Sequence, residues 1–321
     1  RLYLHFGYKS VLRQGIYTPA HVNALMDLDA LFDKARVAES EGDYEKAIGS
    51  YSAAAERGHA RSQCALAELY MSGRGVEKDH VRGRMLFQAA ADTGSAEALY
   101  GLGVIYWGGY GVERNENKAI EYLGAAADKG VVGAAAELGM MHYFSENRDS
   151  PSALRRFIQA AEAGDVTSMY MVGVMYDEGD GIPADRNEAE RWFAVAAEMG
   201  VPEAKFRLAS IYLERTDAEG RRDQAEALYR ESAECGMTEA MFNLAAMLCE
   251  RGDYAEAVRW YRLAAEKNDP DSQFVLGMLY LEGKGVRKDT KEGITWLRVS
   301  ADNGNENARE VLAKAGKDRH G

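Results

Sequence analysis

Three groups of residues have the types that chemistry uses. Asp177, Glu178, Asp180 and Asp185 crowd one stretch, and closely spaced carboxylates are what a calcium loop needs. Gly179 and Gly181, however, occupy positions where an EF-hand spacing requires ligands, so calcium is not expected there. The glycine pairs of GRGVEKD (73–79), GYGVERN (109–115), GDGIPAD (179–185) and GKGVRKD (283–289) could offer backbone N–H groups to a phosphate. No strand pattern precedes them and no Lys-Ser or Lys-Thr follows, so structural turns are expected instead. The histidines His5, His21, His59, His80, His142 and His320 are scattered, with no pair at the four-residue spacing of a helical metal site. There is no nucleophile elbow and no locally supported Cys-His pair. These stretches lead to no expected catalytic residue, cofactor or metal.

The elements that carry these stretches repeat. Residues 95–130, SAEALYGLGVIYWGGYGVERNENKAIEYLGAAADKG, form a unit whose final glycine aligns with Gly58, Gly94, Gly164, Gly200, Gly236 and Gly304, with Asn268 in the remaining slot. Eight units follow: 27–58, 59–94, 95–130, 131–164, 165–200, 201–236, 237–268 and 269–304. The fourth position is small throughout (Ala30, Ser62, Ala98, Ala134, Ser168, Ala204, Ala240, Ser272). The eighth is Leu66, Leu102, Leu138, Val172, Leu208, Leu244 or Leu276, and this spacing makes one apolar helix face. A second helix carries an Ala pair near its end, such as Ala126 and Ala127, after a bulky residue: Phe87, Tyr122, Phe157, Trp192, Tyr229, Trp260 or Trp296. Asp185 with Glu188, Asp223 with Glu226, Asp253 with Glu256 and Asp289 with Glu292 are spaced to cap its start. The aligned glycine ends it in the left-handed conformation. A lone helix pair cannot bury both faces, whereas stacked pairs can. The expected fold is all-α, a right-handed α-α superhelix of about eight helix pairs in one continuous domain.

The order small residue, Leu-Gly, Tyr, Gly-x-Gly-Val, capping Asp or Asn, then Ala pair before Gly resembles the Sel-1-like repeat family, a relative of the tetratricopeptide repeats. The 32-residue units 27–58 and 237–268, with plain GDYEKA and GDYAEA turns, look more like tetratricopeptide units. The resemblance implies a protein-protein interaction adaptor or scaffold, such as a bacterial regulator or an immunity protein that caps a toxin. It also touches hydrolases of peptides or antibiotics, for which no nucleophile or base can be nominated here.

A net charge of −12 repels polyanions, so neither nucleic acid nor an anionic membrane is an expected partner. No stretch approaches the roughly 20 apolar residues needed to cross a bilayer. The sequence opens on Arg1, so it reads as a fragment or processed form. It would be periplasmic, secreted or membrane-anchored if a signal or anchor has been removed, and cytoplasmic otherwise. Cys64, Cys235 and Cys249 do not recur as a framework. Buried thiols are expected, with a Cys235–Cys249 bridge as the alternative. Residues 1–26, rich in aromatic and aliphatic side chains such as Leu2, Tyr3, Leu4, Phe6 and Tyr8, read as a non-repeat lead-in that caps the first unit, separated from the first helix by Pro19, or else as a self-assembly segment. Residues 305–321 read as a capping helix and tail.

What remains is a surface. By analogy with tetratricopeptide solenoids, the first helices line the concave side, and positions 3, 6, 10, 13 and 14 of each unit face the groove. The expected partner-binding residues are Tyr100, Val104, Trp107, Met140, Tyr143, Phe144, Tyr170 and Val174 as an apolar strip, with Glu214, Glu250 and Glu282 forming an acidic rim. The occupant is a peptide or helix of a protein partner, and the rim favours a basic stretch. Alternatively, the aromatic sixth positions pack between adjacent first helices.

Overall fold

The structure, a computed structural model, describes residues 19–146, 148–214 and 220–317, with side chains described from 27 to 314 in those ranges. The chain divides into two units, Arg1–Ala163 and Gly164–Gly321. One continuous domain was expected; the division falls at the end of the repeat 131–164, so each unit is built of whole helix pairs. Residues 1–18 of the expected lead-in lie outside the described residues.

In the first unit, α1 (Pro19–Ser40) pairs with α2 (Tyr44–Ala55), α3 (Ala60–Ser72) with α4 (His80–Asp92), α5 (Ala96–Gly108) with α6 (Glu116–Asp128), and α7 (Val132–Phe144) with α8 (Ser150–Glu162). In the second, α9 (Val166–Glu178) pairs with α10 (Arg186–Glu198), α11 (Pro202–Glu214) with α12 (Arg222–Glu234), α13 (Thr238–Arg251) with α14 (Tyr254–Glu266), and α15 (Pro270–Glu282) with α16 (Thr290–Asp302), closed by α17 (Glu306–Lys317). The fold is an all-α solenoid of stacked helix pairs, and every regular element among the described residues is a helix.

The repeat ends behave as the glycine register demands. Gly58, Gly94, Gly130, Gly164, Gly200, Gly236 and Gly304 all have positive φ, and Asn268 is the one non-glycine among the described residues that does, at 67°. Asparagine tolerates that region better than other side chains, so the exception in the sequence becomes the exception in the backbone. Inside each pair the small fourth position is fully buried from Ser62 onward, at Ala98, Ala134, Ala204 and Ala240 among others. The first pair departs from this. Ala30 is exposed, and Leu28, Phe32 and Ala35 fill the buried stripe, which shifts the helix register by two residues relative to a unit beginning at 27. A pair counted from residue 25 has the 34-residue length of a tetratricopeptide unit.

The second-helix stripe also needs correcting. Phe87, Phe157 and Tyr229 are buried as expected, but Tyr122, Trp192, Trp260 and Trp296 are only half-buried, and their neighbours Leu123, Phe193, Tyr261 and Leu297 fill the core. A residue three and four positions before the two alanines shares their helix face; one residue earlier lies on its flank. On the flank, Trp296 Nε1 donates to Glu292 at 3.0 Å.

The expected caps divide. Asp185 and Asp289 each accept two backbone N–H groups at their helix starts. Asp223 lies within α12, which starts at Arg222 without a side-chain cap, and Asp253 is turned to Arg251 instead. Cys235 is exposed, Cys249 half-buried and Cys64 buried, and all three are free thiols, so the expected buried set holds only in part and the bridge is not formed.

Candidate functional site

The Gly-x-Gly loops at 73–79, 109–115 and 283–289 have two roles in packing. The first glycine of each ends the first helix, as where Gly73 N–H bonds to Leu69 O at 2.8 Å with φ 74°. The second lies against the preceding pair: a Cβ at Gly75 would fall 2.2 Å from Tyr44 Cβ, and one at Gly285 would fall 2.2 Å from the Tyr254 carbonyl oxygen. These loops are therefore close-packed joints between repeats. The acidic loop is likewise committed. Asp185 caps α10, Asp177 faces Arg186 and Arg207 at 3.8 and 3.6 Å, and Glu178 faces Arg207 at 3.5 Å. Among the described residues no three His, Cys, Asp or Glu side chains are grouped to hold a metal ion.

In the first unit, α3, α5 and α7 present a concavity of about 550 Å³. Tyr100 and Val104, both expected there, line it with Met71, Phe87, Glu68, Glu97, Glu137, Arg74 and Lys78. Tyr100 is half-buried, and its hydroxyl donates to Glu137 Oε1 on α7 at 2.6 Å. Burial first, and then that bond, push the Tyr100 phenol up to about 12. Glu68 is reached by solvent, yet the surrounding concavity raises its carboxyl pKa, and the charges of Glu39 and Glu97 raise it further against the opposing pull of Arg74.

The Tyr100 geometry gives a pH prediction. A phenol whose folded pKa lies above the ordinary value of 10 stabilises the fold fully below about 10 and loses that contribution as pH rises through about 12. Tyr100→Phe should lower neutral stability by the loss of the bond to Glu137 and in exchange remove that part of the alkaline loss. Urea unfolding of both chains between those pH values measures it, and parallel pH profiles would refute the assignment.

The other expected residues divide by environment. Trp107 is 38% exposed, with the Arg114 guanidinium 4.4 Å from its ring centroid, so one face is covered by a cation–π contact. Tyr143 is half-buried, edge-on to Phe144 at 4.9 Å and covered by Arg148 at 3.8 Å. Phe144 is 67% exposed and Met140 37%.

In the second unit Val174 is buried and offers no contact surface, a correction to its expected place in the strip. Tyr170 tilts onto Phe193 at 5.8 Å and Phe206 onto Tyr229 at 5.5 Å, while Phe242 meets Tyr261 edge-on at 5.6 Å. These sixth-position aromatics therefore pack against the second helix of their own pair. The acidic rim is neutralised within the chain: Glu214 is held by Arg186, Glu250 by Arg222 and Glu282 by Lys284 at 2.8 Å. Arg186 and Arg222 open second helices, each 28 residues before its glutamate, so the pairing is itself written in the repeat. That spacing was visible in the sequence and was missed, as were Glu68 and Glu137.

The sequence model of the Sel1 repeat matches residues 60–95, 96–131, 132–165, 166–201, 202–237, 238–269 and 270–305. Among solved structures, the chain is similar to a Sel1 repeat protein from Oxalobacter formigenes, with TM-score 0.67 and 27% identity over 90% of this chain and 86% of that one. It is also similar to c5321, a protective antigen of uropathogenic Escherichia coli strains displaying an SLR fold, with TM-score 0.57 and 27% identity over 89% of this chain and 71% of that one. A curated relative, DAP3-binding cell death enhancer 1 from Rattus norvegicus, is 40% identical over 60 residues, 19% of this chain. The match spans only 12% of that relative's length.

Proposed function

We propose that this chain, which belongs to the Sel1 repeat family, is a non-catalytic adaptor that holds an extended or helical segment of a partner protein on its first-helix face. The observation that carries this reading is one group among the large apolar side chains that the first unit leaves in solvent, the others being Val37, Val81, Met85 and Tyr110. Trp107, Met140 and Phe144 are exposed, and they stand at repeat positions 10, 13 and 14, the same positions from which Val104 and Met71 line the concavity. The repeat register thus gathers them on one face. Tryptophan and tyrosine are the side chains that most often dominate interface energies. Tyr100 and Tyr143 supply polar edges within that face, and Arg114 and Arg148 hold the aromatic rings of Trp107 and Tyr143 in place before a partner arrives. Such pre-ordering reduces the entropy lost on binding.

In the second unit Tyr170 contributes a half-buried ring. Glu214, Glu250 and Glu282 would meet a basic partner by exchanging their present cations, which makes their contribution small and salt-sensitive.

Affinity purification from native cells tests the reading. The unmodified chain is compared with Trp107→Glu and with Tyr100→Glu plus Trp107→Glu, each shown to be folded by circular dichroism. The double variant should recover the partner at least about tenfold less well, as loss of a central aromatic anchor predicts. Equal recovery by all three chains would remove the first-helix face from the interaction.

A further inference from the structure

We propose that the concavity of the first unit is a subsite for one lysine or arginine side chain of the bound segment, flanked in that segment by apolar residues. This rests on the adaptor reading and specifies the chemistry of its partner.

The argument begins with unbalanced charge. In the second unit the rim glutamates are each paired with a cation of the chain itself. In the first unit Glu68, Glu97 and Glu137 converge on the concavity, and among the described residues none of the three makes an ion pair with a lysine, arginine or histidine. The nearby guanidinium of Arg74 is directed to Glu39 at 3.6 Å. Among the described residues, the one hydrogen bond to these three carboxylates comes from the neutral Tyr100 hydroxyl. Protein atoms around Glu68 disfavour its ionised form, and the neighbouring carboxylates Glu39 and Glu97 add to this, with only Arg74 pulling the other way. A bound cation relieves both effects at once.

The shape of the concavity selects the kind of cation. Its walls include Met71, Val104, Ile105 and Phe87, so a simple hydrated ion would leave most of the surface uncovered. Lysine and arginine carry a charged head on three or four methylenes, and such stems lie readily along apolar surface. The stem meets the apolar wall while the head reaches the carboxylates, and Arg74 and Lys78, which also line the concavity, disfavour a second basic residue there. A single basic residue between apolar neighbours is the pattern these features fit. An acidic segment would face three unpaired carboxylates.

The test uses the full chain, immobilised, and a random dodecapeptide phage library, with a parallel selection on the Glu68→Gln, Glu137→Gln double variant. Glutamine keeps the shape and can still accept the Tyr100 hydrogen bond, and thermal melts confirm that both chains are folded. The unmodified chain should enrich peptides with a Lys or Arg beside Leu, Ile, Phe or Tyr. The best such peptide should bind the double variant about tenfold more weakly, as loss of charge-assisted hydrogen bonds implies. Replacing the basic residue of that peptide with glutamine should weaken binding to the unmodified chain by a similar factor, a measurement that needs no protein variant. Enriched peptides without a basic residue, or equal binding to both chains, would overturn the subsite and leave the adaptor reading standing. No enriched peptide on either chain would overturn both.

Discussion

Gly285→Ala should lower the stability of the second unit by about 2–5 kcal/mol, the sum of a left-handed backbone cost of about 1–2 and an overpacking cost of about 1–3. Gly285 has φ 68°, and an added Cβ would meet the Tyr254 carbonyl oxygen at 2.2 Å, its carbon at 2.3 Å and the Ala255 nitrogen at 2.8 Å. All three are backbone atoms at the start of α14, so no rotamer change removes the clash. Gly252 provides the control. It has φ 93° and no heavy atom within 4 Å of a built Cβ, so Gly252→Ala should carry only the backbone cost, about 1–2 kcal/mol. Urea unfolding of the two variants measures the difference. Because solenoid contacts run between neighbours, hydrogen exchange should show the Gly285→Ala loss first in α14 and α16. Equal costs for the two substitutions would mean that the loop is not a packed joint.

That joint shows what a sequence of this kind reveals and what it withholds. The positive-φ slots, the buried small residues and the helix pairs were readable because each follows from spacing within one short stretch of chain. Asn268 is the clearest case, since alignment alone assigned it a glycine's conformation. Size points to Trp192, Trp260 and Trp296 for the second-helix core, but phase decides, and the smaller neighbours one residue on complete the stripe with the alanine pair. Ala30 was misplaced because the first pair has a longer first helix and so a different phase. The candidate surface was only partly legible. Tyr100, Val104, Trp107, Met140 and Phe144 follow from repeat position. The covering of Trp107 by Arg114 and the burial of Val174 depend on contacts that only the folded chain brings about, whereas the pairing of Glu250 with Arg222 is foreshadowed by their 28-residue spacing. Glu68 and Glu137 come together only in the folded chain, and no single residue pattern marks a concavity.

The correction at the second-helix stripe carries the other large effect. Phe193→Ala should cost about 3–5 kcal/mol and Trp192→Ala clearly less, although tryptophan is the larger side chain. Phe193 is 0% exposed, its ring sits 5.8 Å from that of Tyr170, and a Cβ added at Gly173 would lie 2.7 Å from it. Removing the ring therefore opens a void between α9 and α10, and close-packed surroundings collapse into such voids only in part. The same closeness predicts a coupling. Gly173→Ala alone should destabilise by about 1–3 kcal/mol because its methyl group presses on the ring. Combined with Phe193→Ala, that methyl group enters the void, so the double variant should be more stable than the sum of the single losses predicts, by about 1 kcal/mol or more. Denaturant unfolding of the four chains closes the cycle. Additive losses would mean that residues 173 and 193 do not share one packed space. A larger loss at Trp192 than at Phe193 would place the stripe on the wrong face of α10 and undo the repeat register from which the candidate surface is read.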